Sequence, residues 1–182
     1  MPTLTTDRLT LRPWRDDEAA VVLDLYSRLE VQRFIGPVPR LMETRAQALA
    51  RIAAWRDLAH PPHEVWAVEP TGSGAPVGTL LLKPIPASGR SGAAPQPSGD
   101  TEIGWHLHPD YWGNGYAVEA AGAVLAHAFA SGLDRVVAVT NPANTASQRV
   151  CTRIGMTHLG RSCAYYDLEC ELFECELIEI GA

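Results

Sequence analysis

The segment 112–117, with the sequence WGNGYA, has the composition of an anion-binding turn. It connects a predicted strand to a predicted helix, and its two glycines let the backbone approach a ligand without clashes from Cβ atoms. Free amides at the start of a helix point outward with partial positive charge, so they favour a bound phosphate. The alternative is a glycine-rich connector that binds no ligand, because helix starts often carry glycine.

Spacing excludes two common phosphate motifs at this turn. A Walker loop requires a Gly-Lys-Ser/Thr sequence, and the segment contains no lysine. A dinucleotide fingerprint would require a third glycine at position 118, where the chain has Val118. The remaining interpretation is a loop that holds a pyrophosphate without a metal-binding hydroxyl.

Hydrophobic periodicity predicts the elements that must position this turn. Alternating apolar residues predict a strand over 101–107, directly ahead of the turn. Apolar residues three and four positions apart predict a helix over about 116–131. A valine-rich run predicts a strand over 135–140, and Asn144 or Thr145 opens the following helix.

The rest of the chain alternates between further strands and helices. Segment 84–99 is rich in Pro, Gly, Ser and Ala and predicts a flexible surface loop within one domain of residues 1–182. The order βααβββαβαββ defines an α+β protein. The other predicted strands are one at 8–12, a hairpin of 63–69 and 77–83, and two strands at 157–161 and 169–180. One further predicted helix is capped by Asp16 or Asp17 and has Val22, Leu25 and Leu29 on one face. The other predicted helix covers 44–58 and has a stripe of Ala48, Ile52 and Trp55.

Composition limits the function classes. The chain has 182 residues and a formal net charge of −6, which disfavours non-specific binding to nucleic acid or to an anionic membrane and weakly favours a cationic substrate. The first fifteen residues contain no hydrophobic block, so we expect a cytoplasmic protein. None of the four cysteines has zinc-site spacing; we expect no metal and buried thiols.

The turn and its surroundings resemble a known family. The sequence HPDYWGNGYAVEA is similar to motif A of the GNAT N-acetyltransferases, and in particular to the RimJ/RimL-like branch that modifies ribosomal-protein N-termini. NPANTASQRVCTRIGM resembles the next motif of that branch, and TDRLTLRPW extends the likeness to the start of the chain. Trp112, at a position where many GNAT proteins have Gln or Arg, is typical of this branch.

The resemblance implies a fold and a cofactor site. The fold would be a mixed, mostly antiparallel sheet of six to seven strands with about four helices and a V-shaped splay between strands 4 and 5. The strand that ends at Leu107 and His108 would diverge from strand 136–140 and leave a slot for the pantetheine arm of acetyl-CoA. Backbone amides would hold the CoA pyrophosphate, namely those of Gly113, Asn114, Gly115, Tyr116 and Ala117.

The resemblance also assigns roles for direct acyl transfer to an amine, which requires a neutral nucleophile and a proton for the leaving thiolate. Asn144 would contact the pantetheine, and Ser147 would donate the proton, because Cys151 stands where many GNAT proteins have a tyrosine. Both residues could instead merely cap the helix. Glu102 is the candidate general base, with a solvent-facing edge charge as the alternative. Arg149 would meet the CoA phosphates or lie on a solvated helix face.

Two functional hypotheses result. The first is an acyl-CoA-dependent N-acyltransferase that moves an acetyl group to a primary amine on a peptide N-terminus or a small molecule. The second is a CoA-binding or sensing module with weak or lost catalysis, favoured by the missing tyrosine. Sequence leaves the acceptor, the acyl group and the oligomeric state open, although the apolar pair Leu172-Phe173 suggests a homodimer edge.

Overall fold

The computed structural model describes residues 2–89 and 96–177. Short 3-10 turns at Asp16–Glu18 and Pro109–Tyr111 precede α1 and the anion-binding turn, respectively. The elements in chain order are β1 (Leu4–Thr5), β2 (Leu9–Pro13), α1 (Ala19–Ser27), α2 (Leu29–Gln32), α3 (Arg45–Leu58), β3 (Glu64–Pro70), β4 (Gly78–Ala87), β5 (Gln96–Leu107), α4 (Tyr116–Ala130), β6 (Arg135–Thr140), α5 (Thr145–Arg153), β7 (Thr157–Ser162) and β8 (Cys170–Glu176).

The strands form one mixed sheet in the order β1-β2-β3-β4-β5-β6-β8-β7. All neighbouring pairs are antiparallel except β5 and β6, which run parallel. The predicted α+β architecture with a mostly antiparallel sheet is therefore confirmed. The sheet has eight strands because the short β1 pairs with β2, through Leu4↔Leu11, in addition to the predicted strands.

The sheet opens into a fork between β5 and β6. These two strands share a single register pair, Glu102↔Val137. Beyond that pair, β5 stays with β4 as far as Gly78↔Leu107, and β6 stays with β8 as far as Thr140↔Glu171. This divergence is the predicted V-shaped splay between the fourth and fifth strands of the sequence-based order.

Helices cover both faces of the sheet, since side chains alternate along each strand. Trp66 and Val68 of β3 belong to the core beneath α4. Val65 and Ala67 of the same strand belong to the core beneath α1 and α3. No helix in the described ranges is long and apolar enough to cross a membrane.

The ends of segment 84–99 differ from the predicted surface loop. They extend β4 and β5 through the pairs Pro86↔Pro97 and Ala87↔Gln96, with a bulge between Pro84 and Pro86. Proline is tolerated next to a bulge because the ladder is already interrupted there, and the proline-rich composition thus conceals a strand. Residues 90–95 of this segment, like the predicted strand's end at 178–180, lie outside the described residues.

Three smaller expectations are wrong. Leu29 is 55% exposed because α1 ends at Ser27, which breaks the periodicity that the stripe assumed. Cys163 is exposed on the connection between β7 and β8, unlike the buried Cys151 and Cys170. Phe173 is buried in β8, which lies between β6 and β7, so the pair with Leu172 forms no dimer edge.

Candidate active site

A cavity of about 1070 Å³ opens at the fork in the sheet. One part of its wall comes from the turn before α4 and the start of α5, and the other comes from α1–α3 and the connection between β7 and β8. Most of the residues selected from sequence line this cavity: Glu102, Leu107, Trp112, Gly113, Gly115, Tyr116, Ala117, Asn144, Ser147 and Arg149. The chain thus brings the predicted anion site and the predicted catalytic residues to one space.

The turn before α4 presents uncapped amides to this cavity. Gly113 and Gly115 both have φ of +79°, a left-handed conformation that disfavours other residues. Gly115 is the N-cap and provides no side-chain cap, and the first backbone bond of the helix runs from the amide of Glu119 to the carbonyl of Gly115. Within residues 2–89 and 96–177, no hydrogen bond uses the amides of residues 113–117. They are therefore free to bind an anion.

Asn114 and His108, which were also selected from sequence, do not line the cavity, and their side chains have partners within the protein. The amide group of Asn114 donates to the carbonyls of Tyr111 and Trp112 and so closes the turn on itself. His108 caps the 3-10 turn, with Nδ1 accepting from the amide of Asp110 at 3.3 Å, and its Nε2 lies 3.2 Å from Oδ2 of Asp24. For both residues, only the backbone remains for the predicted contact.

A network from the N-terminal strands holds the turn in place. Arg8 donates through Nε to Oε2 of Glu119 at 2.7 Å and through Nη1 to the carbonyl of Asn114 at 3.1 Å. Thr6 donates its hydroxyl to Oε1 of Glu119 at 2.6 Å. Burial opposes ionisation of Glu119, but these hydrogen bonds keep its pKa below the usual value. Trp112 completes the network by donating Nε1–H to the carbonyl of Leu107 at 2.8 Å.

The carboxylate of Glu102 is neither unpaired nor located on an edge strand of the sheet. Its carboxylate is 3.0 Å from Nζ of Lys83, the only lysine of the chain, and it also accepts a hydrogen bond from the hydroxyl of Tyr166. Lys83 donates to the same hydroxyl. Burial, together with the charge of Glu102, raises the pKa of Tyr166, which keeps this tyrosine protonated. The three side chains form a cluster, the Lys83–Glu102–Tyr166 cluster, in the cavity wall.

Asn144 and Ser147 both lie at the start of α5. Oδ1 of Asn144 accepts from the amide of Ser147 at 3.2 Å, so Asn144 is the N-cap of the helix. Both residues also line the cavity, and their capping and site interpretations are compatible. Burial raises the pKa of the Cys151 thiol to about 12, which makes this residue a poor substitute for a tyrosine as proton donor.

The side of the cavity next to α1–α3 contains a polar pair formed by the buried Tyr26 and the half-buried His106. The hydroxyl of Tyr26 lies 2.9 Å from Nδ1 of His106, with the two rings edge to face. Burial, followed by the nearby charges of Arg51 and Lys83, lowers the pKa of His106 to about 4, so the imidazole is neutral at pH 7. Arg51 stacks toward the Tyr26 ring at 5.9 Å from its centroid.

Sequence reasoning missed Lys83, Tyr26 and the contact of Tyr166 with Glu102. Lys83 is the single lysine among 15 basic residues, and this bias was a usable indication. Tyr166 and Asp167 have φ of 59° and 55°, which is strained for residues other than glycine. Nothing in the local sequence pattern predicts that strain or the direction of the Tyr166 side chain.

Known proteins share both the sequence and the fold. The model of the acetyltransferase (GNAT) domain matches residues 8–157. The chain is 30% identical over 161 residues to the uncharacterized N-acetyltransferase YoaA of Bacillus subtilis, which covers 87% of this chain and 85% of that protein. It is 28% identical over 170 residues to FsC-acetyl coenzyme A-N(2)-transacetylase of Aspergillus fumigatus, which covers 91% of this chain and 69% of that protein.

Solved structures of acetyltransferases have the same architecture. An acetyltransferase from Agrobacterium tumefaciens aligns with a TM-score of 0.75 at 23% identity, covering 97% of this chain and 95% of that one. RimJ of Mycobacterium smegmatis, in complex with CoA-disulfide, aligns with a TM-score of 0.77 at 19% identity, covering 100% and 88%. At these identities the likeness concerns the fold.

The fold and the domain match together define an acetyltransferase. The chain belongs to the GNAT acetyltransferase family, as its motifs predicted.

Proposed function

We propose that the protein binds acetyl-CoA at the fork and transfers the acetyl group directly to a primary amine, on a peptide N-terminus as in the RimJ/RimL-like branch or on a small molecule. The amides of residues 113–117 hold the pyrophosphate, and the gap between β5 and β6 takes the pantetheine arm. Arg149, which lines the cavity and is exposed, meets the phosphates. The residues present fit such a ligand, because the amides are uncapped and a Cβ at Gly113 or Gly115 would be strained.

The chemistry follows from two side chains of the cavity wall. Glu102, kept in place by Lys83 and Tyr166, receives the proton that the acceptor ammonium must lose, directly or through water. Ser147, at the start of α5, passes a proton to the departing thiolate and is reprotonated by the acceptor nitrogen, which loses its second proton as the amide bond forms. No covalent intermediate on the protein is required, and the buried Cys151 is unsuited to form one.

One observation carries this proposal. The uncapped amides at the start of α4 and the pair Asn144–Ser147 line the same cavity, which lies where β5 and β6 diverge beyond their one register pair. An extended ligand can contact the uncapped amides with its phosphate end and the Asn144–Ser147 pair with its reactive end only if both sites face the same cavity.

The test is release of free CoA thiol from acetyl-CoA in the presence of a panel of amines and peptides. We expect thiol release that depends on both substrates and falls about 100-fold in Glu102→Gln, which keeps the size of the side chain and removes the base. Glu174→Gln, on β8 outside the cavity lining, is the matched control. Absence of thiol release with every acceptor would contradict the enzymatic part of the proposal.

A CoA-binding module without catalysis is the second candidate, since Cys151 occupies the position of the usual tyrosine and is buried. Acetyl-CoA would then raise the melting temperature, because a ligand that binds only the folded state stabilises it by a few kcal/mol at saturation. Stabilisation by acetyl-CoA without thiol release identifies this module. A melting temperature that does not respond to CoA contradicts both candidates.

A further inference from the structure

The charge of the cavity is opposite in sign to that of the whole chain. The protein has a net charge of −6, whereas the described residues that line the cavity include five basic and three acidic side chains. These are Arg33, Arg51, Lys83, Arg149 and Arg153, against Glu30, Glu102 and Glu169. The local field, which acts on a bound ligand at close range, therefore differs from the one that the overall composition suggests.

Two of the three carboxylates are already neutralised. Glu102 pairs with Lys83 at 3.0 Å, and Glu169 pairs with Arg161 at 2.8 Å. The imidazole of His106 is uncharged at pH 7 because burial lowers its pKa to about 4. In the part of the chain that the structure describes, Glu30 is thus the only carboxylate of the cavity wall without a basic partner.

The guanidinium groups on the α1–α3 side of the cavity have no carboxylate partners among the described residues. Arg33 and Arg51 form no salt bridge with any described carboxylate, and both contact aromatic rings instead, those of Phe34 and Tyr26. A second cavity of about 370 Å³ shares Arg51 with the first and adds Arg40, which is likewise unpaired within the described ranges. Among the residues that the structure describes, no carboxylate lines that second cavity. We call these three residues, Arg33, Arg40 and Arg51, the acceptor-side arginines.

The position of Arg51 connects these arginines to the proposed reaction centre. Its guanidinium lies 5.9 Å from the centroid of the Tyr26 ring, and the Tyr26 hydroxyl contacts His106 of β5 at 2.9 Å. His106 is on the strand that forms one arm of the fork. A ligand that places its anionic group next to Arg51 therefore also lies next to the fork.

We propose that the acceptor carries an anionic group, a carboxylate or a phosphate, which the acceptor-side arginines bind while its amine points into the fork. Guanidinium groups recognise both anions through paired N–H donors, so the two chemistries share this recognition. Polycationic amines are disfavoured, because the basic side chains of the cavity wall outnumber its acidic ones and Glu30 is its one described carboxylate without a basic partner. This inference rests on the proposed acetyl transfer and specifies its substrate.

The test compares acceptors that are matched in size and differ in charge. Ala-Glu-Ala-amide, Ala-Gln-Ala-amide and Ala-Arg-Ala-amide form the peptide series, and β-alanine, 2-aminoethyl phosphate and 3-aminopropanamide form the small series. We expect kcat/KM for the anionic members to exceed that for the neutral ones by roughly tenfold, the effect of one charge-assisted hydrogen-bonded pair. The better of the carboxylate and phosphate arms identifies the anion.

Variants assign the effect to particular residues. The double variant Arg33→Gln/Arg51→Gln should abolish the preference for anionic acceptors and leave the affinity for acetyl-CoA unchanged. The double variant Arg45→Gln/Arg56→Gln, which removes the same two charges from the exposed surface of α3 outside both cavities, should keep the preference. Equal or faster turnover of the neutral and cationic acceptors would overturn the inference while leaving acetyl transfer intact.

A binding measurement separates this inference from the proposed function. Where no acceptor releases thiol, calorimetry with the CoA-saturated protein reports whether Ala-Glu-Ala-amide binds more tightly than Ala-Arg-Ala-amide. Preferential binding that is lost in Arg33→Gln/Arg51→Gln supports the anionic site even without catalysis. Equal affinity for the two peptides overturns it.

Discussion

The ammonium of Lys83 lies 3.0 Å from Oε2 of Glu102, on the opposite strand of the same antiparallel pair. The two residues are register partners on β4 and β5, so the sheet itself fixes their distance. Tyr166, which donates to Glu102, comes from the connection between β7 and β8. Three separate parts of the chain therefore determine where the candidate base lies, and a change in one of them alters its surroundings.

Replacing Lys83 should destabilise the fold. Lys83→Met keeps most of the side-chain volume but leaves the carboxylate of Glu102, whose side chain is 11% exposed, without its cation. We expect a loss of about 2 kcal/mol in the free energy of unfolding, measured by urea denaturation at pH 7. Arg56→Met, which breaks the exposed pair with Asp16, should cost less than about 0.5 kcal/mol. Equal losses in the two variants would contradict the importance of the buried pair.

Gly113 and Gly72 provide a matched test of the anion-binding turn. Both have φ of +79°, and an added Cβ would meet nothing within 4 Å at either position. Gly113→Ala and Gly72→Ala should therefore lose similar stability, about 1 kcal/mol each, from backbone strain. Only Gly113→Ala should raise the Kd for acetyl-CoA, because Gly113 lines the cavity and Gly72 does not. A Kd that changes equally in both variants, measured by calorimetry, would remove the turn from the cofactor site.

Ser147→Ala tests the proton donor. We expect kcat to fall at least tenfold while the Kd for acetyl-CoA changes less than twofold, since a proton donor acts in the transition state. Thr145→Ala, in the same helical turn but outside the cavity lining, should leave both quantities unchanged. Unaltered turnover in Ser147→Ala would leave this residue with the hydrogen bond of its backbone amide to Asn144 alone.

His106 should make stability depend on pH. Its folded-state pKa is lowered from 6.5 to about 4 by burial and by Arg51 and Lys83, so the unfolded chain binds more protons between these values. The stabilisation is fully present above pH 6.5 and is lost as the pH falls toward 4. Because part of the ring faces the cavity, we expect a loss of about 2 kcal/mol, less than the full shift implies.

Denaturation at pH 7.5 and pH 4.5 measures this loss. His106→Asn, which retains an acceptor for the Tyr26 hydroxyl, should show a smaller difference between the two pH values. NMR titration of the His106 ring gives the folded-state pKa independently. A midpoint near 6.5 would show that the ring is solvated, in contrast to the structure.

Periodicity was sufficient for most of the fold. The alternation of Leu9 and Leu11, and the stripe of Ala48, Ile52 and Trp55, correspond to buried faces because these side chains have one sheet or one layer to cover. It failed at 84–99, where prolines lie in strands beside a bulge. Composition describes the average preference of a segment, and pairing with a neighbouring strand can override it.

The local sequence predicted the anion-binding turn of the candidate site but not the contacts on the opposite side of the cavity. Backbone groups of the turn followed from local sequence, because glycine spacing and a helix start determine where amides point. The opposite side of the cavity depends on contacts across 80 or more positions, such as Tyr26 with His106 and Lys83 with Tyr166. No local pattern specifies such pairs, and the unpaired arginines become visible only once every carboxylate has a location.

Lys83 is the only lysine among the 15 basic residues, and its ammonium is held in the cavity wall. The other basic side chains are arginines, which remain protonated at neutral pH and are not nucleophilic. Under the acetyl transfer that we propose, the only lysine side chain that a second copy of the protein offers as an acceptor is therefore held in an ion pair with Glu102. The scarcity of lysine would then limit the acetylation of lysine side chains between copies of the protein.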